Sequence, residues 1–236
     1  MLESPRLRWL FKGVTLLLVL YVVIAGLTRT LPQVSTLGQT SRNLFFHVPM
    51  WFSMYLMMLL SLVWSIRYLL RDDADLDLKA REAARMGVFF GLLGLTTGMV
   101  WSRVTWGELL PASDPYAWWA WDPKQTMALA AVLIYLAYFI LRSSVEEPRK
   151  RARLSAVYNV FAAAALFPLT YIIPRTVPSL HPGGADGNPI NFRDSGIEYR
   201  FVFYPAVIAF MLLGLWVLEL RVRQGRIQRH LSPDTE

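Results

Sequence analysis

Four tryptophans lie within sixteen residues of one stretch, Trp106-Gly107 and then Trp118-Trp119-Ala120-Trp121, and an acid, Asp122, closes the run. An indole offers a broad face and a large contact area. One or two tryptophans beside an apolar segment would mark a membrane–water boundary and nothing more. Four so close together, ended by an acid, read as a surface for something flat and aromatic. Two histidines, His47 and His181, stand in or beside the neighbouring polar segments. Two neutral imidazoles on opposite faces of a porphyrin give a six-coordinate iron, and axial-ligand identity is a main control over haem chemistry. The candidate metal ligands are therefore His47 and His181. The candidate haem-binding residues are Trp106, Trp118, Trp119, Trp121, Asp122 and Lys124. A lone histidine would read as an interfacial side chain; two on one side, flanking an indole platform, favour ligation.

The residues around this set refine the expectation. His47 precedes Val48-Pro49, and proline is favoured in a helix's first turn, which places His47 just outside the second apolar run. His181 lies in a segment, Arg175 to Phe192, whose proline and glycine exclude a long regular element. His230 falls in the C-terminal tail and is set aside. Asp122-Pro123-Lys124-Gln125 carries a capping-box pattern. Asp122 is thus expected to cap a helix and to fix the direction of Trp118, Trp119 and Trp121, more than to touch haem itself. Propionates would need cations, since charge-assisted hydrogen bonds to carboxylates are strong. Arg42, Arg103, Lys124, Arg175, Arg193 and Arg200 are the candidates. Met50, Met54, Met57 and Met58 could supply a sulfur ligand, but their spacing suits adaptable packing better. Trp9 and Trp216 fit an interfacial belt, and Trp51 and Trp64 are compatible with one.

The elements that must position these groups are apolar. Hydrophobic residues make up 55% of the 236 and charged residues only 17%, too little polar surface for a soluble domain and in keeping with a multi-pass membrane protein. Six runs are long enough to cross a bilayer as helices: Leu10–Thr28, Phe46–Leu70, Met86–Val104, Gln125–Leu141, Ala156–Ile173 and Phe201–Leu220. The reading is an all-α fold of six transmembrane helices forming a single membrane-embedded unit over residues 1–236. A tryptophan-rich outer loop spans 105–124 between the third and fourth helices, and a second outer loop, 174–200, carries His181. Of the 24 Lys and Arg, 17 fall in the N-terminus, the Arg67–Arg85 and Arg142–Arg153 segments and the C-terminus. This positive-inside pattern predicts that both termini are cytoplasmic and that the histidines face outward. The charge of +7 is therefore topological and carries no implication of nucleic acid. The mixed charges of the two inner segments read as solvated connections, and the tail beyond Arg221 as polar with a disordered end. Gly87, Gly91, Gly94 and Gly98 recur in steps of four, three and four, so they share a helix face that another helix can approach closely; room for a planar ligand is the lesser reading. With no cysteine, disulfides, thiolate ligands and covalent haem attachment through C-x-x-C-H are excluded.

These motifs, His47-Val48-Pro49, Trp118-Trp119-Ala120-Trp121-Asp122 and Ser179-Leu180-His181-Pro182, resemble those of the haem-handling family that includes the haem exporter protein C of cytochrome c maturation. The resemblance covers nearly the whole chain. It implies a bacterial cytoplasmic (inner) membrane protein that holds haem b non-covalently at the periplasmic or exterior face, the iron ligated by two histidines. It also implies delivery to a membrane-anchored haem chaperone, beside an ABC-type ATPase/permease complex and a small membrane subunit. The chain has no phosphate-loop motif, so any ATP hydrolysis belongs to another subunit, and the chain reads as a delivery component rather than an enzyme. Three features depart from the exporter pattern: the ten residues Glu108–Ala117 make a longer gap, Asp122-Pro123-Lys124-Gln125-Thr126 is closer to the larger cytochrome c synthase branch, and Lys124 stands where arginine is frequent, keeping charge without the planar fork. Three other functions compete. A cytochrome c haem synthase subunit would be expected to carry histidines deep in the spans. A non-haem solute transporter would need charges near the bilayer midplane. A structural scaffold leaves the paired histidines unexplained.

Overall fold

The computed structural model describes residues 4–32, 38–106, 118–181 and 196–231. Helix α1 spans Pro5–Thr28, a 3-10 turn Gly38–Asn43 leads directly into α2 (Leu44–Arg71), and α3 is Ala74–Trp106. Helix α4 is Pro123–Ser143, α5 is Pro148–Phe167, and α6 is Gly196–Leu231. Six helices are long and apolar enough to cross a membrane, and among the described residues there is no strand. The chain is a multi-pass, all-helical membrane protein, with all six expected spans in place.

Helix α2 is the hub. It packs along α3 and also meets α5 and α6, whereas α1 rests on α6 at the edge. The α2–α3 seam follows from the glycine stripe. A Cβ at Gly87 would lie 2.6 Å from Met58, at Gly91 3.0 Å from the sulfur of Met54, at Gly94 2.8 Å from Trp51 and at Gly98 2.9 Å from His47. Each missing side chain on α3 accommodates one large side chain of α2, four or three residues apart on both helices. Three of the α2 partners build the core, and the fourth is the candidate ligand. The four methionines at 50, 54, 57 and 58 are buried in that core, as packing predicts.

Helix boundaries differ from the apolar runs because charge pairing extends helices beyond their greasy centres. The segment 67–85, expected as a solvated connection, is two helices joined by a tight turn. Asp72 adopts a left-handed conformation (φ 51°, ψ 42°) as the C-cap of α2, which a short polar side chain tolerates. The Asp73 carboxylate then accepts the Asp75 N–H at 2.8 Å to open α3. The charges here are not all solvated. Arg142 and Asp77, both buried, form a bidentate pair at 2.7 and 2.8 Å. Buried Glu82 accepts from Arg81 at 3.0 Å, Arg85 at 2.8 Å and Arg221 at 2.7 Å. The tail is likewise helical to Leu231, because Arg226 pairs with Asp75 at 2.7 Å and Arg229 donates to the Ala74 carbonyl at 2.9 Å. Solvation was expected from the mixed signs of these segments; the helices instead bring opposite charges together at one end of the bundle.

Proline shapes the other end. Pro49 was expected in the first turn of α2, with His47 outside it. Because the 3-10 turn runs into the helix, α2 starts at Leu44 and Pro49 lies inside it, leaving the Phe45 carbonyl without its intrahelical partner. His47 is therefore within the helix and buried. At the end of α5, Pro168 interrupts the α-helical ladder, and the next turn, Pro168–Ile172, widens to a π turn before the 3-10 turn Ile173–Arg175. Such turns are frequent at functional sites. The π turn aims Thr170 at Tyr55, whose hydroxyl donates to it at 2.6 Å.

Removing one partner of a buried ion pair strands the other charge, at a cost of about 3–5 kcal/mol. Arg142→Ala is expected to lower the thermal unfolding midpoint in detergent markedly. The double change Arg142→Met with Asp77→Leu should recover most of it, as scanning fluorimetry of the three proteins would show.

Candidate functional site

At the end of the bundle opposite the Arg142–Asp77 pair, α2, α3, α4 and the α5 π turn enclose a cavity of about 380 Å³, in the range that takes a cofactor-sized ligand. Its walls include His47, Trp51, Trp101, Trp106, Lys124 and His181. The glycine seam places the first of these. Gly98 leaves the space that the His47 ring occupies, and Thr97, one residue earlier, holds the ring. Thr97 Oγ1 has a single proton, and it is directed at the Leu93 carbonyl (2.8 Å) and the Gly94 carbonyl (3.1 Å). The hydroxyl must therefore accept from His47 Nδ1, 3.0 Å away. Trp51 Nε1 can only donate, and it donates to His47 Nε2 at 3.3 Å. Both bonds select the same neutral imidazole, with the proton on Nδ1 and a lone pair on Nε2. A hydrogen bond at the far nitrogen that fixes tautomer and ring orientation is what a metal-ligating histidine needs.

His181 faces His47. The ring centroids are 6.1 Å apart with planes inclined at 41°. Two imidazoles sharing one metal, each bonded at about 2 Å, have centroids roughly 6 Å apart. Trp101 stands edge-on to both rings, at 5.9 Å from His47 and 6.2 Å from His181, and Trp106 is edge-on to His181 at 6.2 Å. Among the described residues no group of three or more His, Asp or Glu could hold a metal ion. The surroundings suit a ligand carrying carboxylates. Lys124 and Arg175 line the cavity, as does Gln125, whose buried Nε2 has no hydrogen-bond partner among the described residues.

Asp122 caps α4 as its sequence predicts, accepting the Lys124 N–H at 2.9 Å. The expected reciprocal bond from Gln125 goes elsewhere. Trp121 takes a left-handed conformation, φ 51°, and the chain presents the Ala120 N–H to Gln125 Oε1 at 3.2 Å. Asp122 also reaches across to the segment of His181, accepting from Ser179 Oγ at 2.9 Å and from the Leu180 N–H at 2.9 Å.

The sequence-derived residues thus divide. His47, His181, Trp106 and Lys124 meet in one cavity, with Asp122 bonded to the segment behind His181. Lys124 Nζ lies 3.5 Å from His181 Nδ1. Trp118 and Trp121 do not line the cavity: they are 53% and 78% exposed, and Trp118 stacks under the Arg103 guanidinium at 4.3 Å. Trp119 packs on Leu95, Ala128 and Val132. Residues 107–117 of the 105–124 loop and 182–195 of the 174–200 loop, Arg193 included, lie outside the described residues; α6 already begins at Gly196. Arg42 is committed to the end of α1, donating to the Gly26 and Arg29 carbonyls at 2.9 Å each. Sequence reasoning passed over Trp101 and Thr97 and found Trp51 only compatible with an interfacial belt. Trp101 had a signal: it follows Gly98 by three residues and continues the glycine face into the cavity. Thr97 had none, since a threonine in an apolar helix is ordinary.

The family described as Heme exporter protein C matches residues 2–233, which include every residue of the cavity. The chain belongs to the heme exporter protein C family. Its similarity to the Heme exporter protein C of Paracoccus denitrificans is 31% identity over 230 residues, 96% of this chain and 88% of that protein. The protein of the same name from Bradyrhizobium diazoefficiens is 31% identical over 166 residues, 70% of this chain and 58% of its own length. A shorter likeness, 33% over 87 residues, links 37% of the chain to 25% of the Cytochrome c biogenesis protein CcsA of Prochlorococcus marinus. For this heme exporter protein C family member, the assigned His47 tautomer is directly measurable. Nitrogen-15 NMR of histidine-labelled protein should show His47 protonated at Nδ1. Thr97→Val should weaken that preference, which the Trp51 N–H to Nε2 bond alone then supports, and cost about 1–3 kcal/mol by leaving a buried donor unpaired, whereas Thr97→Ser should retain it in full.

Proposed function

We propose that this protein binds haem b non-covalently between His47 and His181, at the outer face of a bacterial cytoplasmic membrane. It then delivers the haem to a membrane-anchored haem chaperone for cytochrome c maturation. The observation that carries this reading is the pair of imidazoles 6.1 Å apart across a cavity walled by Trp101 and Trp106. The heme exporter protein C relatives support it by name, and the CcsA likeness supports a wider role in cytochrome c biogenesis. The positive-inside distribution supports cytoplasmic termini, which puts the Arg142–Asp77 end inside and the histidines outside. An ABC-type ATPase/permease complex and a small membrane subunit are the proposed partners, as the family resemblance implies; this chain carries no phosphate-loop motif, so any ATP hydrolysis would fall to that complex. Lys124, Arg175 and Gln125 are the propionate partners that the cavity favours.

Haem attachment by a synthase is less well supported. His47 sits near the start of α2, His181 in a loop and His230 in the last turn of α6; none is in the middle of a span. A non-haem transporter is disfavoured for a related reason: among the described residues the buried charges Asp77, Glu82, Arg142 and Glu219 lie toward the Arg142–Asp77 end of the bundle and Asp122 caps α4 at the other. The exposed indoles of Trp118 and Trp121, outside the cavity, suit a surface from which a ligand edge is presented to a partner.

The test is haem retention after purification from haem-replete cells. His47→Ala and His181→Ala are each expected to reduce retained haem by roughly tenfold or more, and the wild-type protein to transfer its haem to purified apo-chaperone. A double variant that keeps wild-type haem content and absorption would overturn the reading.

A further inference from the structure

Asp122 does more than a helix cap requires. The cap uses one bond, from the Lys124 N–H. The remaining capacity of the carboxylate is spent on a segment 57 and 58 residues away. Ser179 Oγ–H is shared between Oδ1 (3.0 Å) and Oδ2 (2.9 Å), and the Leu180 N–H goes to Oδ2 (2.9 Å). Ser179 Oγ in turn accepts the His181 N–H at 3.1 Å. A continuous chain of hydrogen bonds therefore runs from the His181 backbone through Ser179 to a carboxylate that is only 5% exposed. Bonds to an ionised acceptor are among the stronger kind, and shielding from water strengthens them further.

On the other side, Asp122 is covalently joined to the tryptophan segment. Its neighbour Trp121 sits at φ 51°, a backbone state that a bulky L-residue keeps only when its surroundings over-determine it. Asp122, bonded on both sides, holds it from one end, and the Ala120 N–H bond to Gln125 Oε1 at 3.2 Å holds it from the other. The tryptophan segment and the ligand segment thus share one fastening point. His47 is positioned differently: it is carried within a continuous helix and held by Thr97 and Trp51.

We propose that Asp122 is a positioning residue that latches His181 opposite His47, so that the second axial bond to iron is made or lost with the conformation of Trp118–Trp121. This rests on the haem-binding reading above. Its consequence is a route for release: a partner that engages the exposed indoles and displaces Asp122 frees Ser179 and Leu180, withdraws His181, and leaves the iron held by His47 alone.

The discriminating variant is Asp122→Ser. Serine is a competent N-cap, so α4 keeps its start, but a single short hydroxyl cannot also hold Ser179 and Leu180. Ser179→Ala leaves the cap untouched and cuts the other side of the latch. Two measurements are made on the full-length protein in detergent. The first is backbone amide hydrogen exchange at residues 180 and 181 without haem, expected to speed up by roughly tenfold or more in Asp122→Ser and by less in Ser179→Ala. The second is the spin state of bound haem, expected to pass from two-imidazole low-spin in the wild type to five-coordinate high-spin in Asp122→Ser, with added imidazole restoring the low-spin form. The double variant should match Asp122→Ser alone, because both changes break one chain of bonds. If Asp122→Ser fails to fold, Ser179→Ala decides: faster exchange with a mixed-spin spectrum supports the latch, and unchanged exchange removes it. A wild-type low-spin spectrum that persists unchanged in a folded Asp122→Ser protein overturns the latch and leaves haem binding standing. A wild type with no two-imidazole spectrum overturns both.

Discussion

The close approach of α2 and α3 is the constraint on which the rest depends. Lipid offers helices no hydrophobic reason to associate, so contact must come from shape. The glycines of α3 supply that shape by removing four side chains from one face, and α2 fills the space with Met58, Met54, Trp51 and His47. The same seam that stabilises the bundle thereby seats a buried imidazole at its end. With the backbones drawn this near, Thr97 can reach the ring, and Trp101, next on the glycine face, stands edge-on to it. Core and site are one device, continued over four helical turns.

The two ends of the bundle solve opposite problems. At one end, arginines and acids from α3, α4 and α6 close on one another around Asp77, Glu82 and Asp75, fixing the helices with charge that has found its counter-charge. At the other, polar groups are placed around a cavity: Gln125 Nε2 has no partner among the described residues, and the lone pair of His47 Nε2 is met by an indole N–H at 3.3 Å, which a metal bound there would displace. A rigid end and a receptive end suit a membrane protein that must hold a ligand and also give it up.

Most of the fold was legible because membrane insertion leaves a coarse signal. Six apolar runs became six helices, and the glycine period announced the seam that the structure contains. What was missed came from contacts between distant parts of the chain. The acids and bases of segments 67–85 and 142–153 gave no sign that Asp77 and Arg142 would be buried together, since composition records sign and not partners. The position of Pro49 was misjudged because a 3-10 turn ahead of α2 moved the helix start. Within the site, His47, His181, Trp106 and Lys124 were legible from residue type and side of the membrane. Trp118 and Trp121 were equally conspicuous, yet they are exposed and do not line the cavity; a dense cluster of indoles reveals that a surface exists and not which rings line a site. The cap at Asp122 was readable from four consecutive residues, whereas its bonds to Ser179 and Leu180 cross 57 residues and have no local signature.

Everything functional turns on whether one iron sits between two imidazoles, one carried on α2 and the other on the segment after α5. Near-infrared magnetic circular dichroism combined with low-temperature electron paramagnetic resonance of the purified ferric protein addresses that directly, because both respond to the identity of the two axial ligands. The account predicts a two-imidazole signature in the wild type that is lost in both His47→Ala and His181→Ala. The same signature surviving in either single variant would contradict it.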